Sequence, residues 1–239
     1  HHRREDGSLW RTSSEGRTTG EGIIDDYAFL ADGLLEIYQF SGEEDYLRTA
    51  RELIDFAEAH FRRPEGGYFQ ARDTADNPLG RSVDYFDSVI PSGNAAMLNA
   101  MLKLAALTGE SKYRDSAKTS LENWTGLLDR AGLEMAWWFD AAVKLVGPFY
   151  DVVIAGNPAA TGTAALRQAL FTRLPPSAVV SLVPADGAGK PLVAMAPALE
   201  GKSAFRGEPT AFVCEFGTCQ APTGDPAVMT TQVLTGWKK

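Results

Sequence analysis

Two short stretches place carboxylates where they could do chemistry. In "GIIDDYAF", Asp25 and Asp26 precede Tyr27 at the start of a helical pattern; in "RSVDYFDSVIPSGN", Asp84 and Asp87 stand three residues apart ahead of another. A pair of carboxylates roughly 5–10 Å apart is what cleavage of a glycosidic bond requires, one acting as acid and the other as base or nucleophile. Asp26 and Asp84 are the candidate acid/base residues, and Asp25, Tyr27, Tyr68, Asp87 and Asn94 the candidate substrate contacts. Each also has a structural reading. An acid in the first turn of a helix satisfies free N–H groups and meets the positive end of the dipole, worth roughly 0.3–1 kcal/mol. That accounts for one of Asp25 and Asp26, not for both with a tyrosine beside them. Asp84 and Asp87 read equally as solvated loop acids ahead of Pro91. Ser92 or Asn94 is a natural N-cap, with Gly93 allowing close backbone approach.

Other residue types offer less. Ser92 lies outside a G-x-S-x-G elbow, and His60 is the one histidine beyond the two at the N-terminus, which argues against a Ser-His-Asp hydrolase. Cys214 and Cys219, five apart, fit neither the zinc C-x₂₋₄-C pattern nor a redox Cys-x-x-Cys. They read as two free thiols or one structural disulfide. No residue set points to a metal or a cofactor. Trp137, Trp138 and Phe139 are read as core or interface, whereas Tyr68 and Phe69, after "EGG", are the better platform for a sugar face.

The elements that must position these residues are mostly helices. Apolar residues recur at three- and four-residue steps from Ile23 to Tyr38, and again from about Glu43 to Phe61 through Leu47, Ala50, Leu53, Ile54 and Ala57. Pro64, Gly66 and Gly67 break the second helix, and an irregular β-hairpin is expected from about Gly67 to Tyr85. Two more helices follow, one through Met97 to Ala105 and one through Tyr113 to Leu128. Shifted by 67 positions, Ser41-Gly42 falls on Thr108-Gly109, Leu35 on Leu102, Tyr46 on Tyr113 and Ala50 on Ala117. That repeat marks an array of helical hairpins, continued by a helix near "LEMAWWFDAAVK". After Pro148 the texture changes: "YDVVIAG", "PAATGTAALRQALFTRL" and "SAVVSLVP" predict a small βαβ unit. The Gly-Asn-Pro turn within it lacks phosphate-loop spacing. Residues 201–239, rich in Gly, Pro and Thr, are expected to run over its surface.

Composition narrows the class. With 44% hydrophobic and 23% charged residues the chain is ordinary globular material. A net charge of −8 without any Lys/Arg block excludes the basic patch that nucleic acid needs. No apolar run approaches the roughly 20 residues of a membrane span, and the N-terminus carries no signal-peptide core. Two cysteines point to a reducing compartment, hence a cytoplasmic location.

In order along the chain, "DDYAFLADGLLEIYQFSGEEDYLRTA", "EGGYF", "DSVIPSGNAAMLNAMLKLAALTG", "DVVIAG" and "FVCEFGTCQAP" resemble the thioredoxin-domain-containing, spermatogenesis-associated protein 20-like family over about residues 6–239. The resemblance implies a helical toroid like that of six-hairpin glycosidases and N-acylglucosamine 2-epimerases. In such toroids, acids at the helix ends around the mouth handle sugar hydroxyls and glycosidic oxygens. The resemblance also implies that the chain begins inside the toroid, without the family's thioredoxin domain. The expected architecture is mainly α: a partial (α/α) toroid over residues 1–147 and a small α/β element over 148–239. The expected function is carbohydrate-active, a glycoside hydrolase acting on a saccharide. Two alternatives stand beside it: a sugar epimerase/isomerase, and a non-catalytic helical scaffold whose homodimer completes the half toroid.

Overall fold

The computed structural model describes residues 2–73, 80–173, 178–215 and 217–234. It is mainly α, with a small α/β element toward the C-terminus. The helices are α1 (Ile24–Ser41), α2 (Glu44–His60), α3 (Gly93–Thr108), α4 (Ser111–Ala131), α5 (Ala136–Val146), α6 (Thr161–Arg173), α7 (Lys190–Met195) and α8 (Pro226–Leu234). The strands are β1 (Trp10–Ser14), β2 (Arg17–Glu21), β3 (Tyr150–Ala155), β4 (Ala178–Val183), β5 (Thr210–Glu215) and β6 (Thr218–Cys219). Among the described residues no helix is long and apolar enough to cross a membrane. The chain divides into two compact units. One comprises His1–Glu36, Asp45–Leu102 and Lys112–Ala142; the other comprises Ile37–Glu44, Lys103–Ser111 and Val143–Lys239.

The first unit is built on helical stripes. The buried residues of α2 are Leu47, Ala50, Leu53, Ile54 and Ala57, the three-and-four spacing read from the sequence. Tyr27 of α1 lies flat against Phe56 at 5.2 Å between ring centroids and tilts onto Phe61 at 5.0 Å, so the start of α1 is pinned to the end of α2. In front of α1 stands a hairpin the sequence reading did not foresee. β1 and β2 pair antiparallel through Glu15-Gly16, whose positive φ values of 51° and 76° suit a two-residue turn. Its strands, "WRTSS" and "RTTGE", are largely exposed and carry no apolar alternation to betray them.

The expected β-hairpin from Gly67 to Tyr85 is replaced by an irregular excursion. Residues 74–79, which would hold its turn, lie outside the described residues; the described flanks contain no strand. They are tied by single backbone bonds, Gln70 N–H to Ser82 O at 2.7 Å and Ile24 N–H to Gln70 O at 3.1 Å. The reason is local: Gly66 and Gly67 both take left-handed φ, 90° and 74°, and turn the chain out of extended geometry before a ladder can form.

In the second unit the sheet order is β4-β3-β5-β6, with β3 and β4 parallel and the other pairs antiparallel. The β3-α6-β4 unit is the βαβ read from the sequence. Tyr150, Val152, Ile154, Val180, Ala211 and Val213 form one face, packed with Leu166 and Leu170 of α6 and Met229 and Val233 of α8. The C-terminal stretch therefore corrects the expectation of a surface wrapping: β5 pairs with β3 along all six residues, and α8 buries Met229 and Val233. Its signals were short. "TAFVC" is a buried-strand run, and Asp225 ahead of Pro226 is a helix start, its carboxylate accepting from Ala227 N–H at 2.7 Å. On the opposite sheet face Asp151 meets Lys202 at 3.2 Å, both nearly buried. Burial pushes the Asp151 carboxyl up to about 6 against the pull of that ammonium.

Candidate functional site

The two adjacent aspartates of α1 have separate tasks. Asp26 is the cap: its Oδ2 accepts from Ile23 N–H at 2.8 Å while its own N–H donates to Ile23 O at 2.9 Å. Arg11, reaching over from β1, lies 3.6 Å from the same oxygen. Asp25 makes no bond to its own helix start. Its Oδ1 accepts from Gln70 Nε2 at 3.3 Å, and a Cβ placed on Gly93 would fall 2.1 Å from that oxygen. Gly93 is thus the residue that lets the first turn of α3 approach the Asp25 carboxyl.

Burial raises the Asp25 carboxyl above the usual carboxylate range. The Gln70 hydrogen bond opposes that rise, and the negative charges of Asp84 and Asp26 add to it. Gln70 also carries a buried amide oxygen without a hydrogen-bond partner among the described residues. An orphan acceptor costs roughly 1–3 kcal/mol unless something donates to it, so a donor-bearing ligand has a reason to sit there. Asp84 stands exposed on the excursion, held by its backbone: Asp84 O accepts from Asn94 Nδ2 at 2.8 Å.

The remaining candidates are placed as ties between elements. Asp87 receives Ser92 N–H at 2.9 Å and Trp137 N–H at 2.8 Å, so it joins the starts of α3 and α5. Ser92 caps α3 through its Oγ, which accepts from Ala95 N–H at 3.2 Å. Asn94 is fully buried, accepting from Tyr68 N–H at 2.7 Å and donating to Tyr68 O at 3.0 Å. Tyr27 and Tyr68, read as substrate contacts, are also fully buried. The Tyr27 hydroxyl accepts from Leu9 N–H at 2.8 Å, and the Tyr68 hydroxyl donates to Glu58. Neither ring shows a face to solvent.

Exposed rings occur elsewhere in the same unit. Trp138 is buried, its Nε1–H donating to Tyr85 O at 2.8 Å, but Trp137 and Phe139 are 42% and 43% exposed. Phe86, unnoticed in the sequence, is 44% exposed between Asp84 and Asp87. Gln70 was missed for the same reason: a lone amide or ring on an irregular segment has no periodicity to mark it.

The fold and this site define a helical-hairpin protein with an α/β element and a partly buried acid between two helix starts. No family model matches the sequence. Over 208 residues, 86% of the chain, it is 30% identical to spermatogenesis-associated protein 20 of Homo sapiens and 29% identical to that of Mus musculus. It is also 29% identical over 103 residues to an uncharacterized protein of Caenorhabditis elegans. These similarities support a spermatogenesis-associated protein 20-like family. The chain spans about a quarter of the length of the mammalian relatives, 26%.

Proposed function

We propose that this chain is part of a carbohydrate-active protein acting as a glycoside hydrolase, with Asp25 as general acid and Asp84 as its base or nucleophile. The observation that carries this reading is the placement of the Asp25 carboxyl, partly buried between the starts of α1 and α3 against Gly93 and Gln70, with Asp84 near enough to add its negative charge. Two carboxylates in unlike environments, one desolvated and one exposed, are the arrangement that separates acid from base. Asp25 would protonate the departing glycosidic oxygen. Asp84 would then activate water or attack the anomeric carbon. The orphan Gln70 amide oxygen would accept from a sugar hydroxyl, and Phe86 offers a ring to an apolar sugar face. Asp26, committed to its cap, leaves the acid/base role to Asp25. In this reading the hairpins belong to an (α/α) toroid with the site at its mouth. With three histidines in the chain, hydrolysis is favoured over histidine-dependent epimerisation.

The test is turnover of an oligosaccharide and monosaccharide panel, followed by NMR of the anomeric protons, for wild type, Asp25→Asn, Asp84→Asn and Asp26→Asn. Asp25→Asn and Asp84→Asn are expected to lose at least about a hundredfold, the scale of general acid–base catalysis. Asp26→Asn should keep most activity wherever it is folded. Absence of turnover by wild type, or equal turnover in all four proteins, overturns the proposal. One observation favours a second reading, a helical binding module: Val89 and Leu133 of the first unit are 99% and 92% exposed.

A further inference from the structure

The sheet of the second unit ends in a covalent tie. Cys214 of β5 lies opposite Cys219 of β6, and a disulfide joins them. The two residues differ in access: Cys214 is buried, 3% exposed, and Cys219 is exposed. Cys219 also lines an open cleft of about 370 Å³ together with Tyr150, Glu215, Thr218 and Gln220. A cleft of that volume lies within the range that takes a small molecule.

We infer that Cys219 is a site of reversible thiol–disulfide exchange with a small thiol or dithiol that enters by this cleft. The incoming thiolate attacks Cys219 Sγ and forms a new sulfur–sulfur bond there. The Cys214–Cys219 bond breaks, its electron pair stays on Cys214 Sγ, and that sulfur takes a proton from water. A second thiolate, or the second sulfur of a dithiol, then attacks the reagent's sulfur in the mixed disulfide and expels Cys219 as thiolate, which takes a proton from water in its turn. The protein gains two electrons and two protons, and the reagent leaves as its own disulfide.

The topology allows this in the folded protein. The bridge closes a separation of only 5 residues, and the loop-entropy part of disulfide stabilisation shrinks with loop length. β6 has two residues, so little ladder depends on it, while β5 keeps its six-residue pairing with β3 once the bridge opens. Burial directs the attack as well. A reagent reaches Cys219 first and leaves Cys214 as the departing sulfur. The inference stands apart from the proposed hydrolase site, whose residues belong to the first unit.

The experiment exposes intact, folded protein to glutathione or to dithiothreitol at mildly alkaline pH, quenches with iodoacetamide and maps the modified peptides by mass. Glutathione is expected to appear on Cys219 and the alkyl label on Cys214. Dithiothreitol should free both thiols while the far-UV circular dichroism is unchanged. Thr218→Trp, which fills the cleft from an exposed position, should slow exchange by about tenfold or more because access sets the rate. Reduction that needs denaturant, or glutathione found on Cys214, overturns the exchange site. Undiminished exchange in a folded Thr218→Trp protein removes the cleft as its route.

Discussion

Asp25 and Asp26 are neighbours of identical chemistry with opposite effects on stability. The Asp26 carboxylate closes the start of α1, so Asp26→Ala is expected to cost about 1 kcal/mol, the usual scale of a lost cap contact. Asp25 behaves the other way. Its carboxyl is raised from the usual 3.8, burial being the first cause, so the folded state holds the proton more tightly than the unfolded chain. The sign follows: ionisation begins to cost stability as the pH climbs above 3.8, and the cost is complete above the raised folded value. Asp25→Asn removes a charge that the fold resists and leaves an amide that Gln70 can still bond. Thermal unfolding at pH 7 should therefore show a higher Tm for Asp25→Asn and a lower one for Asp26→Ala. Below pH 3.8 the gain in Asp25→Asn should vanish. A lower Tm for Asp25→Asn at pH 7 would make the residue structural and take away the basis for the catalytic role proposed for it. An acid that costs stability is the kind of residue a functional site retains.

At the scale of elements, the site depends on how the irregular excursion is held to α3. Asn94 does this with one amide: it receives Tyr68 N–H and donates to Tyr68 O and Asp84 O. Asn94→Ala leaves three backbone groups without their partner, two of them in the fully buried Tyr68, at a cost of about 1–3 kcal/mol for each buried group left unsatisfied. The expected result is a drop in Tm and, under the proposed hydrolase reading, lost turnover as well, because Asp84 is no longer held near Asp25. An unchanged Tm would show that the clamp is dispensable. The helices behind this clamp were legible in the sequence. The α2 stripe and the glycine-terminated hairpins follow from 3.6-residue periodicity, and Gly42 and Gly109 do close α1 and α3 with left-handed φ of 75° and 79°. The βαβ unit was legible for the same kind of reason, since β3 and β4 each hold a short β-branched apolar run, Val152-Val153-Ile154 and Val179-Val180. The β1–β2 hairpin was not, because both strands are largely exposed and polar. The excursion was misread as strands because "GGYF" has strand-forming residue types, while its course is set by two glycines and by Asn94, 26 residues beyond Tyr68 in the chain. For the candidate site, the sequence marked the acids as candidates but not which of the two adjacent ones caps α1. Which of two adjacent aspartates is desolvated depends on Gly93 and Gln70, and nothing local to α1 records that.

For the whole molecule, the balance lies between charge and exposed apolar surface. A net charge of −8 and a pI near 5.0 make two copies repel at neutral pH. Against this, the first unit exposes Phe86, Val89, Ile90, Leu133 and Trp137, two of them, Val89 and Leu133, almost completely. Asp87 N–H bonds to Glu134 O at 2.8 Å and its carboxylate to Trp137 N–H, so residues 86–87 lie beside residues 134–137 and the apolar side chains of these segments share one region. Exposed apolar side chains gathered on neighbouring segments are the kind of surface that marks a contact site. Charge repulsion acts over a Debye length of about 8 Å at physiological ionic strength and about 3 Å at 1 M salt, whereas apolar burial strengthens with salting-out ions. Self-association through this region is therefore expected to rise with salt, and sedimentation velocity across a sodium sulfate series measures it directly. Leu133→Asp, at a 92% exposed position, should leave unfolding unchanged and hold the protein monomeric throughout the series. If wild type also stays monomeric at every salt concentration, the region does not join copies. If Leu133→Asp associates as wild type does, copies meet through another surface. Should the association prove real and turnover survive in Leu133→Asp, one protomer carries a complete site; loss of both together would mean that the site needs its neighbour.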